Sequence, residues 1–218
     1  MNNIRKLKLS FLVIMAVMVN ALSIPSNAAE EYTTGSRGED GLIYQIGNSE
    51  APVTFIEFQS QMCPYSKAFH LDVYPLLKKK YIETGEVFYI SMPYVHNDDD
   101  MKAVKLVQCA GDKNYGELMD EMYRQRETWA RKIKKGIITP ANVERMKEIA
   151  GQYGVSQERQ DKCLASELLA DSLIATRRFS NLEFGVFRTP QYVINGKLYN
   201  ELSWEDADYI LQQLLIQQ

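Results

Sequence analysis

Residues 53–66 read VTFIEFQSQMCPYS. The first eight, Val53 to Ser60, are rich in β-branched and aromatic side chains and read as a strand. Cys63-Pro64-Tyr65-Ser66 then opens a run to about Glu83 that places Tyr65, Phe69, Val73, Leu76 and Leu77 on one face at helical spacing. A cysteine at such a strand-to-helix turn meets free backbone N–H groups and the positive end of the helix dipole, both of which favour a thiolate. Pro64 suits the first helical position, where its missing N–H costs nothing. Ser66 stands where a Cys-x-x-Cys redox site would carry its second sulfur. A serine one turn from Cys63 can hydrogen-bond a thiolate but cannot form a disulfide.

Outward from this turn, Pro75 predicts a kink in the helix and Gly85 its stop. Val87 to Met92 reads as a buried strand, parallel to 53–60 because a helix separates the two. Upstream, Leu42 to Ile46 is a short strand, and the polar stretch Glu30 to Gly41 reads as a loose leader. Downstream, residues 98–181 read as a helical insertion. Asp98, Asp99 and Asp100 are placed to cap its first helix. Thr139-Pro140 is placed to open its third and Ser156 its fourth. The cluster Arg131-Lys132-Ile133-Lys134-Lys135 reads as a solvated helix end, with ion or partner binding as the alternative. The period then changes to two, with Asn195-Gly196 as a hairpin turn between 191–194 and 197–199. Ser203-Trp204-Glu205-Asp206 opens a last helix as a capping box variant. The order is βαβ, a helical block, then ββα.

The N-terminus reads as a secretory signal over residues 1–28. Arg5, Lys6 and Lys8 form a basic start, Leu9 to Leu22 is mostly apolar, and Ser26-Asn27-Ala28 is a small-residue cleavage region. An uncleaved anchor is the alternative. The remaining 29–218 are one domain's worth of chain. Cleavage removes three positive charges and no acids, so the net charge moves from -3 to -6 (-3 minus 3). An acidic chain without a long basic tract is a poor nucleic-acid binder. Export implies an oxidising compartment, in which three cysteines, Cys63, Cys109 and Cys163, allow one bridge and one free thiol. Three cysteines and two histidines show no metal spacing. His70 reads as structural and His96 as a loop residue.

The order of elements, with a cysteine after the first βαβ strand and Thr189-Pro190 before the hairpin, resembles the thioredoxin fold, an α/β class. More closely, APVTFIEFQSQMCPYSKAFH, VQCAGDKNYGELMDEMYRQRETWA and FGVFRTPQYVINGK resemble the bacterial DsbA family of exported thiol-disulfide oxidoreductases, in its alpha-proteobacterial type. The resemblance runs from about Ala51 to the C-terminus. Two residues depart from it: Ser66, where the family carries cysteine, and Arg188, where small residues are common. It implies a thioredoxin-like domain with a helical insertion, Cys63 as nucleophile, and a cis-proline loop at Thr189-Pro190 facing it. It implies substrate contacts at Pro64, Tyr65, Arg188, Thr189 and Pro190. It also implies a buried acid near Glu57 that moves protons, and a structural disulfide between Cys109 and Cys163. For Glu57 a strand residue facing a polar loop, and for Arg188 an ordinary surface residue, are equal alternatives.

The function this implies is periplasmic exchange through a single sulfur, with no cofactor and no metal: isomerisation or reduction of protein disulfides, or deglutathionylation. Its partners are exported proteins with cysteines, or small thiols such as glutathione; the sequence names no redox partner. A non-catalytic peptide-binding module is the second reading. Glutaredoxin-like iron–sulfur binding through Cys63 and a small thiol is the third.

Overall fold

Strand β3 (Val53–Gln59) holds the middle of a six-stranded sheet, and the other strands are placed by it. The computed structural model describes residues 36–37 and 42–217, so the leader read at 1–28 lies outside the described residues. The strands are β1 (Ser36–Arg37), β2 (Tyr44–Ile46), β3, β4 (Val87–Pro93), β7 (Gln191–Ile194) and β8 (Lys197–Tyr199), in the order β1-β2-β4-β3-β7-β8. β3 and β4 pair in parallel from Val53↔Val87 to Gln59↔Pro93, as the intervening helix requires. β7 pairs antiparallel with the other edge of β3, Phe55 opposite Ile194. β1 is a correction to the sequence reading: within the polar leader, Ser36 and Arg37 pair with Gln45 and Tyr44.

Alternation along β3 decides which face each side chain meets. Val53, Phe55 and Glu57 point into the larger core, with Phe69, Leu77, Tyr89 and Tyr192, whereas Phe58 points into a second cluster with Met92, Tyr94, Val186 and Val193. Both faces are covered, which is why β3 reads as a near-continuous apolar run. Each such buried phenylalanine contributes about 1.5–3 kcal/mol relative to exposure. Glu57 is therefore a charged residue on the core face of the central strand, and it is fully buried.

The helix after Cys63 is continuous over residues 64–82 but not uniform. α1 (Pro64–Ala68) and α2 (Tyr74–Leu77) are each followed by a π turn, Phe69–Val73 and Lys78–Ile82. Pro75 sits just after the first π turn, where widening of the hydrogen-bond ladder accommodates a residue that donates none. Gly85 follows with φ 79°, a conformation that side chains resist.

The helical block comprises α3 (Asp98–Gln108), α4 (Asp112–Arg124), α5 (Arg126–Trp129), α6 (Val143–Gln152), α7 (Gln157–Ala165) and α8 (Glu167–Phe184). α8 runs past the expected end at 181 and stops at Gly185, φ 67°. The block is also interrupted. Residues read as a solvated helix end form a separate hairpin, β5 (Lys132–Lys134) with β6 (Ile137–Thr139). Its turn uses left-handed Lys135 and Gly136. Thr139 consequently ends a strand, and α6 is capped by Asn142, whose side chain accepts from Arg145 N–H. The cap of α3 is Asn97, which accepts from the N–H groups of Asp99 and Asp100 and frees those two acids for other work. Ser156 and Ser203 cap α7 and α9 (Trp204–Ile216) as expected, Ser203 in a full capping box with Asp206. Asn195-Gly196 makes the β7–β8 turn with φ 45° and 81°.

Candidate active site

Cys63 is the N-cap of α1, with extended backbone (φ -77°, ψ 121°) and Pro64 at the first helical position. The sulfur is partly exposed and is the free cysteine among the described residues. Cys109 and Cys163, in α3's cap and in α7, are bonded to each other with their Cα atoms 6.4 Å apart, within the usual range. The Thr189–Pro190 bond is cis, and the loop it forms approaches the cysteine, whose Sγ donates to Thr189 O at 3.2 Å. Ser66 is fully buried one turn on. The hydrogen bond found for its hydroxyl is accepted from Ser60 N–H at 3.4 Å, so it buttresses the turn rather than the sulfur. Pro64 and Tyr65 lie exposed beside Cys63, and Tyr65 is 73% exposed.

The turn 60–62 is gripped by the helical block. Asp100 of α3 accepts from Ser60 Oγ at 2.7 Å, Met62 N–H at 3.2 Å and His96 N–H at 3.0 Å. Arg126 of α5 donates to Met62 O from both Nε (2.8 Å) and Nη2. Tyr123 of α4 donates to Gln59 Oε1 at 2.6 Å. Asp100 is completely buried; burial pushes its carboxyl up to about 6, against the pull of the hydrogen bonds it accepts. Sequence reasoning took Asp100 for a helix cap. The available signal was a run of three acids at one helix start, more than a cap needs.

His96 was read as a loop residue. It is one, but its Nε2 lies 2.8 Å from Thr189 Oγ1, tying α3's leading loop to the cis-proline loop. Loss of water around the ring, and then the Arg177 guanidinium, hold its imidazole below the ordinary value. Arg188 is exposed, and its backbone N–H donates to Gln191 Oε1 at 3.1 Å. Cys63, Ser60, Met62, His96, Arg131, Ile133, Arg188 and Thr189 line one cleft of about 390 Å³, so the arrangement brings both loop residues and Cys63 to a common opening.

A second polar group lies in the core. Tyr89 donates its hydroxyl to Glu57 Oε2; Glu57 Oε1 has no hydrogen-bond partner among the described residues. His70, in the first π turn, stands with Nδ1 4.0 Å from Glu57 and Nε2 2.5 Å from Asp120. Burial lowers this imidazole, but hydrogen bonds to Asp120 and Glu57 and their charges outweigh it, raising it from 6.5 to about 9. His70 is buried, and its acid partners were not visible in the sequence. Among the described residues, no group of three or more His, Cys, Asp or Glu side chains is placed to hold a metal ion.

Comparison with known proteins agrees with this geometry. The sequence model described as Thioredoxin matches residues 40–213. A protein of Rickettsia bellii, whose name offers protein-disulfide oxidoreductase as a provisional activity, is 28% identical over 152 residues, covering 69% of this chain and 56% of that one. The chain thus spans about half the length of the curated relatives it matches first. Among solved structures, alpha-DsbA1 of Wolbachia pipientis superimposes with a TM-score of 0.68 at 20% identity, covering 79% of this chain and 90% of that one. BdbD of Bacillus subtilis does so with a TM-score of 0.66 at 19% identity, covering 84% and 96%. The chain belongs to the thioredoxin family, with serine at residue 66, three places after Cys63.

Proposed function

We propose that the chain is a thiol-disulfide exchange enzyme that works through Cys63 alone, on exported proteins with cysteines. The observation that carries this reading is a partly exposed cysteine at a helix N-terminus, hydrogen-bonded to the cis-proline loop, in a protein whose other two cysteines are bonded to each other. In the first step the Cys63 thiolate attacks one sulfur of a substrate disulfide; that S–S bond breaks and the released thiolate takes up a proton. The mixed disulfide cannot be resolved from within, because residue 66 is serine. A second thiol of the same substrate resolves it, which is isomerisation, or glutathione attacks the Cys63 sulfur and releases the substrate thiol, after which a second glutathione frees Cys63 and forms oxidised glutathione, which is reduction. A glutathionylated substrate passes its glutathione through Cys63 by the same exchange.

Pro64, Tyr65, Arg188, Thr189 and Pro190 are assigned to hold the substrate chain across the cleft. Glu57 is assigned as the buried acid that trades protons with the site through its unpartnered oxygen. The working compartment is the periplasm, reached through the leader at 1–28 with cleavage after Ala28, leaving 29–218 as the working domain. The reading calls for no cofactor and no nucleic acid.

The test is reshuffling of a scrambled disulfide protein in a glutathione buffer. The wild-type chain should restore the native pairing faster than buffer alone, and Cys63→Ala should bring the rate back to that of buffer. Equal rates for the two proteins would reject the proposal.

A further inference from the structure

The β5–β6 hairpin is a basic segment that the proposed chemistry leaves unused. It stands as a sheet of two strands, and no third strand pairs with it among the described residues. Its register sets Ile133 opposite Ile138, so the two share a face. They are 72% and 58% exposed, and Ile133 lines the same cleft as Cys63. Residues 130–141 carry Arg131, Lys132, Lys134 and Lys135 and no acid, in a chain whose net charge is -3. Arg131 is held by Asp99 at 2.7 Å. Among the described residues the three lysines have no ion-pair partner, and neither has Arg188 across the cleft. An exposed isoleucine thus lines the cleft of the reacting sulfur, paired with Ile138 on one face of the hairpin, while Lys132 and Lys134 alternate onto the other face with Ile137.

We propose that this hairpin is a docking rail for the substrate chain, selecting extended segments in which acidic and apolar residues flank the reacting cysteine. The proposal rests on the reading of Cys63 as the attacking sulfur and names the substrates that sulfur meets. An extended segment can add to an open strand edge, which gives backbone hydrogen bonds without regard to sequence. Selectivity then comes from the side chains: an apolar residue covers Ile133 and Ile138, and acids answer Lys132, Lys134, Lys135 and Arg188. Lysines on an open strand also guard against edge-to-edge aggregation. That role accounts for the charges but not for an isoleucine turned into the nucleophile's cleft, nor for Arg188 on a different element. It also differs in its consequences, since glutamates would guard the edge equally well.

The experiment uses synthetic peptides with one cysteine activated as a 2-pyridyl disulfide, flanked by Leu with Glu, Leu with Gln, Leu with Lys, or Ser with Glu. Cys63 attacks the peptide sulfur, the peptide–pyridyl S–S bond breaks, and pyridine-2-thione leaves with a proton and is read by absorbance. The Glu peptide should react about tenfold faster than the Lys peptide at low salt, the size expected of charge steering. At roughly 1 M salt, where screening acts over a few ångströms, the ratio should approach one. The variant Lys132→Glu/Lys134→Glu/Lys135→Glu should invert the preference, and Ile133→Ser should erase the advantage of Leu over Ser in the flank. Uncharged dipyridyl disulfide reads the cysteine itself. If Cys63 reacts with it but does not discriminate among the peptides, or if the charge-reversed variant keeps the wild-type preference, the docking proposal is overturned while exchange chemistry stands. If Cys63 reacts with neither, the exchange reading fails, and fluorescence anisotropy with reduced, labelled peptides decides docking alone. Selective binding of the Glu peptide that is lost on charge reversal sustains the rail, and equal or absent binding rejects it. Absence of peptide preference together with hairpin-dependent binding to phosphatidylglycerol vesicles would make the hairpin a membrane contact, contrary to the proposal.

Discussion

His70, set between Asp120 and Glu57 in the larger core, governs how this protein responds to alkali. His70 is raised from 6.5 to about 9 by Asp120 and Glu57 despite burial. A folded-state value above the unfolded one means that the native state keeps a proton the unfolded chain has lost. The resulting stability is fully present below about pH 6.5 and is lost as pH rises through about 9. Urea unfolding should therefore show wild-type stability falling across that window, and His70→Gln should remove the slope. The variant should also lower stability near neutrality by about 1–3 kcal/mol, because it leaves buried Glu57 and part-exposed Asp120 without their partner. A wild-type stability that is flat across the window would show that His70 is neutral. The sequence displayed Cys63, Ser66 and Thr189-Pro190 plainly, since a strand-to-helix cysteine and a Thr-Pro before a hairpin are local patterns. It hid Asp120, Asp100 and the bond from His96 to Thr189, because these partners are joined only by the folded chain, 50, 40 and 93 residues apart.

At the scale of elements, the cysteine turn owes its shape to helices that are remote in sequence. Asp100→Asn replaces one acceptor oxygen with a donor that faces either Met62 N–H or the Ser60 hydroxyl and His96 N–H. It should cost about 1–3 kcal/mol, the penalty for buried polar groups left unpaired. It should also slow attack by Cys63 and speed amide hydrogen exchange at Met62; unchanged exchange there would mean that Arg126 and Tyr123 suffice to hold the turn. The Cys109–Cys163 bridge pins α3 to α7 across 54 residues. Cys109→Ala/Cys163→Ala should lower stability by about 4 kcal/mol on the chain-entropy argument, measured by denaturant unfolding, with Cys63 still reactive. A loss well under 1 kcal/mol would show that packing, not the bridge, joins the two helices. Legibility at this scale followed the turn residues. Asn195-Gly196 announced its hairpin because asparagine adopts a left-handed conformation readily. Lys135-Gly136 did not, because lysine gives no such signal, and the β-branched run Ile137-Ile138-Thr139 was absorbed into the surrounding helical pattern.

At the scale of the whole molecule, the sheet fixes where Cys63 points and the helical block fixes how rigidly it is held. β3 delivers the cysteine turn, β7 delivers Thr189 and Pro190 to the same end, and α3, α4 and α5 clamp the turn from the side. The fold was legible because each strand and helix carried its own period and the parallel pair was forced by the helix between its strands. The join between block and sheet was not, since it is built from single polar side chains. The central claim is that one sulfur performs the chemistry, and Ser66→Cys tests it most directly. Residue 66 is buried one turn from Cys63, so the change adds the missing sulfur with little change of volume. Oxidation of a reduced dithiol peptide should be weak with the wild-type chain and strong with Ser66→Cys, while both reshuffle scrambled disulfides. An account resting on Cys63 alone is contradicted if the wild-type chain shows no thiol-disulfide exchange of any kind and Ser66→Cys alone gains it.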